Sequence, residues 1–230
     1  MLEYLLDNYY MPLYFIALVL CIIKYQLYYD TVLRYFPILL TYTFMTEVLG
    51  LIVRDVDDIQ LVYRQEYYNY NTIIFNIYDI IFFLYFFYVY YQLSNNRLTK
   101  NLIKYGGATF LLTCIVNLFI QDFFTEPQNF AIIIGSIILV YAASIYLYKL
   151  IITKHRLPLY RNLLFWLSAG ILFFYICYPI TMYILSFNYD FFTIHNLSKH
   201  HYISIGIFYA CIITGLIFMK RLRIANEVIK

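Results

Sequence analysis

Seven long apolar runs, separated by short stretches that hold most of the charge, dominate this sequence. A helix needs roughly 20 predominantly apolar residues to cross a bilayer, at about 1.5 Å of rise each. The runs span about Tyr10–Tyr28, Val32–Val53, Thr72–Leu93, Leu102–Ile120, Phe130–Ile152, Leu163–Leu185 and Ile203–Met219. Their length predicts helices, because barrel strands would show short alternating segments. Composition points the same way. The chain is 63% hydrophobic and 13% charged, against about 45–50% and about 25% in soluble domains. Too few charges remain to cover a water-facing surface. The expected fold is all-α, a single polytopic transmembrane domain over residues 1–230 with seven spanning helices.

Lysine and arginine favour cytoplasmic loops, so their distribution predicts orientation. Thirteen of the 16 basic residues fall between the first and second runs, the third and fourth, the fifth and sixth, or after the seventh. The alternate side holds Arg54, Arg64 and Lys199, with acids such as Asp55, Asp122, Glu126 and Asp190. This pattern predicts an N-terminus outside and a C-terminus in the cytoplasm. The opening "MLEYLLDNYY" carries Glu3 and Asp7 and lacks the basic start of a signal peptide.

Only two acids lie inside the runs, Glu47 in "FMTEVLGLI" and Asp79 in "NIYDIIFF". A charge at the centre of a membrane helix costs about 2.5–3.5 kcal/mol on insertion scales, so such residues face protein or water. Glu47 precedes Val53 by six residues, which places it about 9 Å from the end of its run. Asp79 follows Thr72 by seven, about 10 Å from the same surface. Consecutive helices joined by a short loop are usually neighbours. Each acid also belongs to a stripe at i, i+4, i+7 spacing: Thr43, Glu47 and Gly50 on one run, Thr72, Asn76 and Asp79 on the next. Asn117, Tyr178 and Thr181 lie at similar depth, with Pro179 a candidate kink. One reading is a ligand-binding or proton-sharing pocket in the outer half of the bundle. The other is interhelical glue, worth about 0.6 kcal/mol per contact.

Other chemistries find less support. A retinal Schiff base needs a lysine within the seventh run, where "YISIGIFYACIITGLIFMK" has none before Lys220. Haem between two histidines needs them within the runs, but His155, His195, His200 and His201 all fall between them. His195, His200 and His201 cluster near Asp190 and are weak candidates for an outer zinc site, at a spacing that matches no specific motif. Cys21, Cys114, Cys177 and Cys211 sit in apolar runs and read as small hydrophobes. The 29 tyrosines and 21 phenylalanines fit the codon bias of an AT-rich genome, or an aromatic-lined cavity.

The stretches "YFPILLTYTFMTEVLG", "NTIIFNIYDIIFFLYF" and "FWLSAGILFFY" together resemble a group of uncharacterised bacterial seven-helix membrane proteins of about this length. Glu47, Asn76 and Trp166 match the pattern, and Asp79 stands where a glutamate is more usual. The resemblance implies a sensory or accessory membrane subunit, in some cases linked to two-component signalling. It brings no activity with it.

The expected function is therefore a receptor-like or accessory sensory protein of a bacterial inner membrane. It would relay a signal from the polar pocket to a cytoplasmic or membrane partner. Its expected surroundings are the lipid bilayer and, as an alternative, a homo-oligomer; neither nucleic acid nor a cofactor is implied. An oligomeric channel or membrane effector is the second reading. An intramembrane enzyme using Glu47 and Asp79 as acid and base ranks last, because no nucleophile accompanies them.

Overall fold

The computed structural model describes residues 10–56, 58–62, 70–153 and 158–221. Among the described residues there are eight α-helices: α1 (Tyr10–Ile23), α2 (Phe36–Asp55), α3 (Thr72–Leu93), α4 (Arg97–Asn117), α5 (Asn129–Ile152), α6 (Leu163–Phe187), α7 (Tyr189–Ile194) and α8 (Leu197–Phe218). Short 3-10 turns lie at Tyr25–Leu27 and Leu159–Arg161. Local chemistry sets several starts. Pro37 occupies the first turn of α2, where its missing N–H costs nothing. The Asn96 side chain accepts from Leu98 N at 2.9 Å to open α4, and Asn162 accepts from Leu164 N at 3.0 Å to open α6.

Five of these helices, α2, α3, α5, α6 and α8, are long and apolar enough to cross a membrane, so the chain is a polytopic integral membrane protein embedded in lipid. The expected seven-helix transmembrane bundle is corrected by this count. The run read as Tyr10–Tyr28 stops being α-helical at Ile23 and passes into a turn at Lys24, which leaves 14 α-helical residues among those described. At 1.5 Å per residue that is about 21 Å, short of a hydrocarbon core of about 30 Å. The run read as Leu102–Ile120 instead begins at Arg97 and ends at Asn117. Its first two turns carry Arg97, Lys100 and Lys104, followed by Gly106 and Gly107, so its apolar stretch is too short. The resemblance to seven-helix bacterial proteins falls with the same count. The expected orientation, N-terminus outside and C-terminus cytoplasmic, is read from lysine and arginine over seven runs and is not supported by this five-span arrangement.

The long helices run alternately up and down. α1 packs on α2 and α8, α3 on α2, α4 and α5, and α6 lies between α5 and α8, so α8 closes the ring onto α1. The α6–α8 interface is the most extensive, and two glycines shape it. A Cβ on Gly170 would meet Phe208 Cδ2 at 2.8 Å, and one on Gly215 would meet Leu163 Cδ1 at 2.8 Å and Trp166 Cβ at 2.9 Å. Small residues at such crossings let membrane helices approach closely, since lipid supplies no hydrophobic force between them. Phe83, Phe86, Phe110, Leu139 and Ile171 fill the centre. Phe15, Ile38, Leu112, Ile137 and Ile176 stay exposed on the outer faces, as a lipid-facing belt requires.

The two ends of the bundle differ in charge. One carries Lys24, Arg34, Arg97, Lys100, Lys104, Lys149, Arg161, Lys220 and Arg221, with Asp30 paired to Arg221 at 3.4 Å. The other carries Arg54 and Lys199 with Asp55, Asp58, Asp122, Glu126 and Asp190. The remaining expected loop charges, among them Arg64, Lys154, Arg156 and Arg223, and also His155, lie outside the described residues.

Candidate functional site

Glu47 and Asp79 are each met by a tyrosine hydroxyl from a different helix. Tyr14 on α1 donates to Glu47 Oε1 at 2.9 Å. Tyr178 on α6 donates to Asp79 Oδ2 at 2.7 Å. No hydrogen bond joins the two carboxyls among the described residues, so direct sharing of one proton is not the arrangement present. Four helices are thereby cross-linked in two pairs, α1 to α2 and α3 to α6.

Both carboxyls line one cavity of about 350 Å³. It is lined by α1, α2, α3, α6 and α8, with Ile132 of α5 and Pro127, and reaches the acidic end at Arg54, Asn71, Leu185 and Tyr202. Glu47 is seven residues in from Arg54, about 10 Å down. The deepest lining residue on α3 is Phe82, ten residues past Thr72, which is about 15 Å of a core about 30 Å thick. Phe82 contacts Tyr175 at 5.5 Å and Phe208 at 6.2 Å between ring centroids. Below this floor Phe83, Phe86 and Tyr90 are buried at 3% exposure or less. Among the described residues the cavity therefore ends blind at Phe82.

Below the floor α3 and α6 are held a second time. Tyr90 and Ser168 hydrogen-bond at 2.8 Å, eleven residues along α3 from Asp79. The two rungs lie about 16 Å apart and tie the same antiparallel pair at the cavity and near the basic end.

The other predicted site residues divide. Tyr178 lines the cavity and stacks on Phe174 at 5.1 Å. Asn76 borders the cavity too, but its amide is spent on the segment between α4 and α5. Asn76 Nδ2 donates to Phe123 O at 2.8 Å and Glu126 O at 2.9 Å, and Oδ1 accepts from Gln128 N at 3.3 Å. Thr43 does not line the cavity. It donates to Leu39 O at 2.9 Å and lies 3.2 Å from the Tyr78 hydroxyl, behind the cavity wall. Asn117 is fully buried at the end of α4, and neither of its amide atoms has a partner among the described residues. α6 runs unbroken through Pro179, and Thr181 donates back to Cys177 O at 3.0 Å.

The three histidines read as candidate zinc ligands do not converge. His201 lines the cavity and stacks near Tyr178, at 5.6 Å between rings. His195 and His200 are exposed, the latter with its ring 3.2 Å from Asn196 O. Among the described residues no group of three side chains is placed to hold a metal ion.

Sequence reasoning missed Tyr14, Tyr175, Phe208 and Tyr209 as cavity residues, because rings are too abundant here for any one to stand out. It also missed Arg54, which lines the cavity at the acidic end with its guanidinium paired to Asp55 at 2.7 and 3.2 Å. Gly50 was legible as a close approach: a Cβ there would meet Phe75 Cζ at 3.0 Å, and Asn71 Nδ2 donates to Gly50 O at 2.9 Å.

Tyr178→Phe keeps the ring and removes one interhelical bond. Such bonds in membrane bundles average about 0.6 kcal/mol and reach about 1.7 kcal/mol. A loss in that range, measured by denaturant unfolding in detergent, is expected for Tyr178→Phe and for Tyr14→Phe.

Compared with known proteins, the chain matches no family model, no curated protein and no solved structure. The fold and site thus define a class only: an integral membrane protein of the helical kind with buried polar residues around a blind cavity.

Proposed function

We propose that this chain is a receptor-like membrane protein that binds a small molecule in the Glu47–Asp79 cavity and passes the binding event to a partner at its basic end. The observation that carries the reading is the cavity itself, which gathers both membrane carboxyls at one end of the bundle. Its size falls in the range of small-molecule sites, about 300–1,000 Å³, and its wall is mostly apolar with a few convergent polar groups, as such sites are. Two features favour binding over conduction. The cavity ends at the Phe82 floor, and the core beyond it is filled with rings.

The α3–α6 pair offers the route to the partner. A ligand that displaces Tyr178 from Asp79 loosens one rung, and the shift reaches the Tyr90–Ser168 rung near Arg97, Lys100 and Arg161. A surface so rich in lysine and arginine suits an acidic partner. Helical crossings suit the cytoplasmic membrane of a bacterium, since its outer membrane is crossed by closed barrels.

The test is a thermal-shift screen of the purified chain in mild detergent against small molecules. A compound that raises the melting temperature should lose at least tenfold in potency in both Glu47→Gln and Asp79→Asn, with both variants still folded. Hits whose potency is unchanged in both would place binding elsewhere and overturn the reading. Affinity purification in the same detergent tests the partner, whose retention should fall when Lys100, Lys104 and Arg161 are replaced by glutamine.

A further inference from the structure

We propose that the cavity's ligand is a protonated organic amine with an apolar body. This rests on the cavity being a ligand site and adds the chemical class. Three observations carry it. First, the deep part of the cavity holds two carboxyls and no lysine or arginine among the described residues. The lining residues with basic side chains are Arg54 and His201. Arg54 sits at the acidic end of the cavity and is already engaged by both oxygens of Asp55. Much of its charge is met there by Asp55, so it answers Glu47 only in part, and it does not act on Asp79.

Second, each carboxyl uses only one oxygen on its tyrosine. Glu47 Oε2 and Asp79 Oδ1 have no hydrogen-bond partner among the described residues, and neither is sealed against protein. Two acceptors reaching open space call for a donor with several N–H groups. An ammonium has them; an anion or an ether does not.

Third, the remaining wall is aromatic. Tyr14 meets Tyr209 edge-on at 4.2 Å, and Phe174 stacks on Phe208 at 5.7 Å. Ring faces attract cations within about 6 Å of their centroids and pack well on apolar bodies. A bare metal cation would leave most of this wall unused, and a neutral ligand would leave both carboxyls unanswered.

The test reads cation preference directly, without knowing the natural ligand. Met182 lines the cavity one turn from Tyr178, and Met182→Cys places a thiol there. The variant is treated with two methanethiosulfonates, one bearing an aminoethyl group and one a sulfonatoethyl group. Rates at residue 182 are taken by peptide mass, which separates it from the native cysteines, and are divided by the rates with free cysteine. The expected result is a preference of at least tenfold for the aminoethyl reagent, falling toward one when Glu47→Gln or Asp79→Asn is added. Millimolar 2-phenylethylamine should slow the labelling, while 2-phenylethanol or sodium chloride at the same concentration should not.

Each alternative result is decisive. Labelling by neither reagent closes the cavity to solutes and removes the ligand-site reading together with this one. Equal labelling by both keeps the site and overturns the amine. A preference that survives both carboxamide variants overturns it as well, because the selecting field then lies elsewhere. Protection by sodium chloride assigns the site to a metal cation, and equal protection by the alcohol assigns it to a neutral apolar ligand.

Discussion

Gly215→Leu is expected to lower the stability of the bundle by roughly 3 kcal/mol, the upper end of what overpacking a well-filled interior costs. The reason lies in what the added atoms meet. A Cβ at this position already comes within 2.8 Å of Leu163 Cδ1 and 2.9 Å of Trp166 Cβ. Leu163 can move its terminal methyl. The Cβ of Trp166 is fixed by the α6 backbone, so the helices must separate, and a leucine needs three carbons more. Gly107→Ala provides the contrast. Its nearest neighbour would be Phe87 Cδ2 at 3.5 Å, an ordinary contact, and neither glycine adopts positive φ. Removing a helical glycine there gains up to about 1 kcal/mol from backbone entropy. Melting in one detergent should therefore move in opposite directions, down by about 10 °C for Gly215→Leu and slightly up for Gly107→Ala. Equal small effects would mean that α6 and α8 are not tightly crossed.

That crossing was not legible in the sequence, and the reason is general to chains of this kind. Helices that are apolar all round carry no moment to say which face meets protein and which meets lipid. Run length was legible in part. Thr72–Leu93 could be bounded because polar residues flank it on both sides. Tyr10–Tyr28 could not, because apolar residues continue through the turn at Lys24 and the 3-10 segment at Tyr25–Leu27. Hydropathy reads composition and is blind to a change of backbone conformation inside a greasy stretch. The fourth run failed at its other end. Leu118, Phe119 and Ile120 are apolar but follow the last helical residue, Asn117, as a turn.

The site shows the same division. Glu47 and Asp79 were legible because an acid within an apolar run has few places to go, and both do reach one cavity. Their matching depth followed from helix rise alone. Their hydroxyl partners did not, because one tyrosine in 29 gives no contrast. The stripe rule also had a limit. Spacing of i, i+4, i+7 puts Thr43, Glu47 and Gly50 on one face, yet only the last two line the cavity, since the wall turns at Tyr78 and leaves Thr43 behind it. Spacing fixes which residues share a face; the neighbouring helix decides how much of that face is open.

Asn76 carries the second large effect, and it separates a structural role from a binding one. Its three hydrogen bonds reach residues 47 to 52 positions away in the chain and hold the segment that leads from α4 into α5. Asn76→Ala leaves the carbonyls of Phe123 and Glu126 and the N–H of Gln128 without that partner, at about 1–3 kcal/mol for each group that water does not reach. A loss of roughly 2–4 kcal/mol is expected, with faster proteolysis between Phe123 and Gln128. Asn76→Asp is the sharper variant. It keeps the shape but sets an oxygen where the amide nitrogen donated, facing two carbonyl oxygens. If Asn76 served a ligand instead, Asn76→Asp would fold as the native chain does and change binding alone. The geometry argues against that, because both amide atoms are already engaged with the segment and neither is left to face the cavity. Asn76 thus positions Asp79 indirectly: it fixes the α4–α5 segment over the helix turn that aims the carboxyl at Tyr178. Loss of ligand response in Asn76→Asp should appear only together with loss of the melting transition, whereas Asp79→Asn should lose the response with the transition intact.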